Sequence, residues 1–298
     1  ETSENNEFRQ VKKQDDIESS SVTSFNMKEQ ALRVLLLALA FATRMRYLDV
    51  PKYVVFDEVH FGRFTTYLLN GTFFFDSHPP FAKLVFAYTG YLTGLDTSFM
   101  FTDIGQDLGE ILSHVWCLRL ASAIFSSLVV PCVYEILLDL GCCVWLASLG
   151  PFLVIFDNML VIHGRFILLD SFLHFFTVFS IMAYLKFKKN KTRPFSFYWW
   201  MWLLLMGVGL AGAVSTRYSG IFVVFLLAGM IAYDMWNMIE DLNISPTQWL
   251  MHFGCRLHSV VILPVMLYTL QFYILLSVLT NTGPQDDIMS SAFQASLK

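Results

Sequence analysis

Charge is scarce in this chain: Asp, Glu, Lys and Arg together make up 15% of its 298 residues, against 55% apolar residues. With 29 phenylalanines and a mean hydropathy of +0.54, that scarcity excludes a soluble globular domain and defines a membrane protein. The five cysteines, Cys117, Cys132, Cys142, Cys143 and Cys255, lack any metal-binding spacing and read as small core residues, so they say nothing of redox compartment. The apolar runs carry no charge at mid-bilayer depth, and there is no inverted repeat with paired broken helices, which argues against an ion-coupled transporter. The stretch 1–30, "ETSENNEFRQVKKQDDIESSSVTSFNMKEQ", is poor in aromatics. It is too polar for a signal peptide and cannot bury enough apolar surface to fold alone, so it reads as a disordered tail.

What is abundant is long apolar sequence. Runs of about 20 apolar residues suffice to span a bilayer, and seven occur, at 31–50, 117–139, 142–162, 166–187, 197–215, 219–239 and 256–279. An eighth, 80–95, has sixteen residues. As a helix it would reach only about 24 Å against a hydrocarbon core of about 30 Å, so it is expected to lie along the membrane rather than cross it. The expected class is therefore an all-α polytopic membrane protein with about seven transmembrane helices and additional juxtamembrane helices.

The loop "KFKKNKTR", 186–193, holds five cations and no anion, which assigns it to the cytosol. Counting spans back from there puts the 1–30 tail in the cytosol and 51–116 on the opposite side. Segment 51–116 carries seven acids and three bases. The unusual polar residues then gather on that opposite face: Asp57, Glu58, His60, His78 and Lys83 in the first outer loop, Arg119 at the head of the second span, Arg165 and Asp170 at the turn between the third and fourth, and Arg217 at the turn between the fifth and sixth. Ionisable groups placed at a membrane are expensive, and a cluster on one face marks a functional site.

Four motifs, "FDEVHFGRF", "FFFDSHPPFAKL", "RFILLDS" and "GPQDDIMSSAFQASL", closely resemble the protein O-mannosyltransferase family over residues 31–298, in the family's order and spacing. The last of them most resembles one of the family's animal subfamilies. The resemblance implies a glycosyltransferase-C-like membrane domain over 31–279, with a lumenal catalytic loop at 51–116. It also implies that 280–298 begins a lumenal segment leading to a MIR domain beyond this sequence, which would make the chain a fragment or a truncated form. The implied activity is transfer of mannose from dolichyl phosphate mannose to Ser or Thr hydroxyls of proteins in the endoplasmic reticulum lumen, by a multi-pass enzyme of that membrane paired with another family member. No cofactor and no nucleic acid are implied. The alternatives are another lipid-linked-sugar transferase of the same fold and a catalytically silent partner subunit.

The chemistry suits the residues. A hydroxyl attacking the anomeric carbon needs a base, and a departing lipid phosphate needs cations but no acid, unlike the two carboxylates of glycoside hydrolysis. The resemblance makes Asp57 the base and Glu58 the group orienting acceptor or polar network; the bland alternative for Asp57 is a helix N-cap. His60 falls on the same helical face and either hydrogen-bonds Asp57 or is structural. His78 precedes two prolines in a helix start capped by Asp76 or Ser77. Lys83 either meets a phosphate at headgroup level or snorkels. Arg119 would grip the phosphate bidentately, or else pair with an acid such as Asp157 or Asp170. Arg165, Asp170 and Arg217 fit either a phosphate site or a salt bridge between helix ends. Of three Asn-x-Ser/Thr sequons, at Asn70, Asn190 and Asn243, only Asn70 lies on the outer side.

Overall fold

The computed structural model describes residue 27, residues 29–241 and residues 244–298. The 1–30 tail and the sequon at Asn243 therefore fall almost wholly outside the described residues. Among these residues there is no β-strand, only two isolated bridges, Tyr53 with Asp107 and Thr72 with Asn281. The helices are α1 (29–45), α2 (Glu58–Asn70), α3 (Phe81–Thr93), α4 (Leu112–Asp139), α5 (Val144–Phe156), α6 (Asn158–His163), α7 (Asp170–Lys189), α8 (Phe197–Thr216), α9 (Ile221–Asn237), α10 (Pro246–Leu257), α11 (Leu263–Val278) and α12 (Ser291–Gln294).

Each of the seven apolar runs contains a helix, but they are not equal. Among the described residues four helices are long and apolar enough to cross a membrane: Gly109–Asp139, Phe197–Thr216, Tyr218–Asn237 and Pro246–Val278. The run 142–162 departs from the single span expected of it. It breaks at Asp157, whose carboxylate accepts a hydrogen bond from Leu160 N at 2.8 Å and so caps α6 instead of continuing α5. Helix α7 is 20 residues long but carries Asp170 at its start and Lys186, Lys188 and Lys189 at its end. Helix α3 has 13 residues, about 20 Å, and is too short to cross.

Small residues set the closest packing. A Cβ on Gly212 of α8 would lie 2.4 Å from the Phe176 ring of α7, and one on Gly207 would lie 2.4 Å from Ser259 O. Without a hydrophobic drive between helices in lipid, such close backbone approach is what holds a bundle together. The core between α3, α4, α7 and α8 is aromatic, with Phe86, Phe172 and Trp199 almost fully buried and the Phe125 and Phe172 rings 4.4 Å apart.

Alternation of the long helices gives the bundle two ends. At one, Lys186 pairs with Glu135 and Asp139, Lys189 with Asp139, Lys188 with Asp234, and Arg33 with Glu135. At the other lie the start of α2, the 71–80 loop, the start of α7 and the end of α8. The segment 280–298 docks at this second end. Phe73 N donates to Asn281 O and Asn281 N to Gly71 O, both at 2.9 Å, and the rings of Phe73 and Phe293 lie 5.2 Å apart.

Candidate active site

The centre of the second end is a buried ion pair. Arg119, in the second turn of α4 and 0% exposed, directs Nε to Glu58 Oε1 and Nη2 to Glu58 Oε2, each at 2.8 Å. Its Nη1 donates to the carbonyls of Leu48 at 3.0 Å and Pro51 at 2.9 Å, and Nη2 also to Tyr53 O at 3.3 Å. A guanidinium has five N–H donors, and all are used. Glu58, 1% exposed, also accepts from Ile167 N and Val55 N, each at 3.1 Å, so both lone pairs of both its oxygens are filled. The pair ties together the segment after α1, the 51–55 loop, α2, α4 and the turn before α7. This differs from the expectation that Arg119 grips phosphate and from its alternative pairing with Asp157 or Asp170. A saturated, fully buried guanidinium has no donor to offer a lipid, and a saturated Glu58 has no lone pair for an acceptor peptide.

Asp57 is the opposite case. It stands immediately before α2, where the sequence allowed a cap, yet its backbone is in the right-handed helical region and its side chain makes no capping bond. Its half-buried carboxylate has no hydrogen bond or ion pair among the described residues. The preceding residue, Phe56, has φ of 49°, a left-handed conformation unusual for a side chain of that size and a form of strain found at functional sites. His60 is exposed; its backbone N–H donates to Asp57 O at 2.9 Å, but its imidazole makes no hydrogen bond to the Asp57 carboxylate among the described residues.

A second group surrounds His78. Lys83 is 2% exposed and neither snorkels nor waits at headgroup level. It forms a short ion pair with Asp76, donates to His78 O at 2.6 Å, and lies 5.5 and 5.8 Å from the Phe64 and Phe74 ring centroids. Asp76 is thereby spent on Lys83. The helix start expected to be capped by Asp76 or Ser77 has Pro80 as its N-cap residue and no side-chain cap. Burial holds the Lys83 ammonium below its ordinary value, opposed by Asp76. Burial likewise lowers His78, with Asp76 opposing and the nearby Arg217 and Lys83 reinforcing the shift, so the imidazole is neutral at pH 7. Arg217 pairs with Asp170, joining the end of α8 to the start of α7.

Arg165 has donors to spare. Half-buried in the turn after α6, it makes one hydrogen bond, from Nη2 to Tyr47 O at 2.8 Å, and its pKa is lowered by burial and by the neighbouring Arg119. Asn70 is exposed at the end of α2, where its carbonyl accepts from Asn281 Nδ2 at 2.9 Å. Among the described residues no group of three His, Cys, Asp or Glu side chains is arranged to hold a metal ion.

Arg44 and Asp76 were not singled out by their sequence positions as site residues. Arg44, 0% exposed in the last turn of α1, bonds Ser126 Oγ at 2.8 Å and Val154 O at 3.0 Å. Arg256, 8% exposed in α10, is a second buried arginine, at the start of its apolar run. The signal for Arg44 was a lone arginine inside "LALAFATRM".

An all-helical membrane bundle with a saturated carboxylate–guanidinium pair beside an unpaired aspartate is the architecture these observations define. The chain belongs to the family described as dolichyl-phosphate-mannose-protein mannosyltransferase, whose sequence pattern matches residues 34–280. It is 40% identical over 267 residues to protein O-mannosyl-transferase 1 of Mus musculus, covering 89% of this chain and 36% of that protein. Over 271 residues it is 38% identical to dolichyl-phosphate-mannose–protein mannosyltransferase 4 of Candida albicans, covering 91% of this chain and 36% of that one. Its fold superposes with a TM-score of 0.86 and 31% identity on the S. cerevisiae protein O-mannosyltransferase Pmt1-Pmt2 complex bound to the sugar donor, covering 91% of this chain and 37% of that chain. The chain thus spans little more than a third of the length of these relatives.

Proposed function

We propose that this chain forms the catalytic membrane portion of an enzyme that moves mannose from dolichyl phosphate mannose to Ser or Thr hydroxyls of proteins in the endoplasmic reticulum lumen. The observation that carries the reading is the unpaired Asp57 carboxylate, held beside a fully saturated Glu58–Arg119 pair in a chain of this family. Asp57 accepts the proton of the acceptor hydroxyl as its oxygen bonds to the anomeric carbon. The carbon–oxygen bond to phosphate breaks on the opposite face, inverting the centre, and the electron pair leaves with dolichyl phosphate. That leaving group is stable as an anion and requires no acid. Arg165, beside Arg119 and with unused donors, is the candidate phosphate ligand, and His78 and Arg217 lie near each other in the second group.

The test is transfer of labelled mannose to a Ser/Thr peptide by the chain in its full-length context. Arg165→Ala should raise the KM for the donor about tenfold or more, the scale of one lost charge-assisted hydrogen bond, with a smaller effect on acceptor KM. An unchanged donor KM would remove Arg165 from the site.

The Asp57 end is read as lumenal and the Lys186–Lys189 end as cytosolic. Asn70 is then the sequon that meets the glycosylation machinery, and glycosidase treatment of the expressed protein should release a glycan from it alone. A glycan on Asn190 would show the orientation to be inverted. By likeness to the two-chain complex of its structural neighbour, the functional form is a dimer with a second O-mannosyltransferase chain.

A further inference from the structure

At the end of the bundle opposite Asp57, a cavity of about 840 Å³ opens between the end of α7, the start of α8, the end of α9 and α10. Its lining joins the aromatic faces of Phe187 and Trp199 to the cations Lys188, Lys191 and Arg256 and to His252. Arg256 is 8% exposed, with its guanidinium 5.2 Å from the Phe187 ring and 5.7 Å from that of Trp199. Its Nη1 contacts His252 Nδ1 at 2.9 Å and His252 O at 3.1 Å, while its buried Nε has no hydrogen-bond partner. Asp234 and Asp241 also line the space. Asp234 is already shared by the Tyr184 hydroxyl at 2.6 Å and Lys188 Nζ at 3.0 Å. Among the described residues neither Arg256 nor Lys191 has a carboxylate within ion-pair distance. Asp234 acts on the Arg256 charge only from beyond ion-pair distance, so a buried guanidinium with an unbonded Nε would gain a direct partner from an anionic ligand.

A second hollow, about 580 Å³, adjoins the first and shares Lys188 and Tyr233 with it. It runs along α9 past Phe225, Leu226, Gly229 and Met230, on the membrane-spanning part of that helix. A Cβ at Gly229 would meet nothing within 4 Å, so the missing side chain deepens the groove rather than serving a close helix contact. A cationic, aromatic-walled cavity at a helix end, continuous with an apolar groove along a spanning helix, has the two parts of a phospholipid site: headgroup and acyl chain.

We propose that this is a binding site for an anionic glycerophospholipid, with its phosphate between Arg256 and Lys191 and one acyl chain over Gly229. The site lies at the end remote from Asp57 and is independent of the mannosyl-transfer reading. Purified, delipidated protein would be titrated with dioctanoyl-phosphatidylinositol, dioctanoylglycerol, glycerophosphoinositol and inorganic phosphate, following Trp fluorescence and thermal stability. The phospholipid should bind at least tenfold more tightly than any of the other three. Lys191→Glu, at an exposed position, and Gly229→Leu, which fills the groove and favours helix, should each weaken that binding at least tenfold while the protein stays folded. Undiminished phospholipid affinity in either variant would overturn the proposal. So would glycerophosphoinositol or inorganic phosphate binding as tightly as the phospholipid, which would assign the cavity to a soluble phosphate instead.

Discussion

Arg119→Ala is expected to be the most damaging single substitution in the chain, and to act on the fold before it acts on chemistry. It leaves Glu58 buried, ionised and without its counter-charge, which costs about 3–5 kcal/mol. Against a total stability of roughly 5–15 kcal/mol, that removes a large part of the margin. It also orphans the carbonyls of Leu48, Pro51 and Tyr53, which hold the strand of chain leading into Asp57. Arg119→Lys should recover little, because three ammonium donors on a flexible stem cannot replace five in a planar fork. Glu58→Gln should be milder, since the amide keeps the shape and part of the hydrogen bonding. The check is protein abundance and thermal unfolding in detergent, with donor affinity measured on whatever remains folded. If Arg119→Lys accumulates to normal levels and unfolds normally but loses the lipid donor, the guanidinium is a phosphate ligand and the positioning role is wrong. A double-mutant cycle over Glu58→Gln and Arg119→Lys should show strong coupling, as for residues bonded to each other.

This pair shows where sequence reasoning stops. Glu58 and Arg119 are 61 residues apart, on helices that no periodicity or spacing connects, so each was legible as a site residue while their contact was not. The positions of the helices were legible because apolar runs and bilayer thickness are simple arithmetic. The shortness of α3 followed from the same count. The break in 142–162 had a local signal, the Asp157–Asn158 dipeptide inside an apolar run, outweighed by the hydropathy around it. Asp76 looked like a cap because caps are local and common. Its true partner, Lys83, lies seven positions on across a turn whose course the two prolines determine. The gathering of polar groups at one end did emerge from charge placement, since topology alone decides which helix ends meet. Which of those groups are saturated and which are free depends on individual hydrogen bonds, and only the folded chain supplies them.

That distinction decides the meaning of the second large expected effect. Asp57→Asn removes a charge while keeping shape, at a side chain with no hydrogen bond, cap or ion pair among the described residues. Folding has nothing there to lose, so stability should change by no more than about 0.5 kcal/mol, as at other positions free of structural contacts. If Asp57 takes the acceptor proton, kcat should fall by about 10²-fold or more, the range for loss of a general base, with the donor KM near its original value. His60→Ala, at an exposed residue whose imidazole has no bond to the Asp57 carboxylate, should fall far less. The measurement is steady-state mannosyl transfer to a Ser/Thr peptide by the purified protein in its full-length context, with thermal unfolding run in parallel. The pairing of readouts matters because Glu58 is the next residue. A substitution at Asp57 that disturbed the buried clamp would lower the unfolding temperature together with the rate, whereas loss of the base lowers the rate alone. Full activity in a normally folded Asp57→Asn protein would mean that another group takes the proton, and that the unpaired carboxylate beside Phe56 serves something other than the transfer.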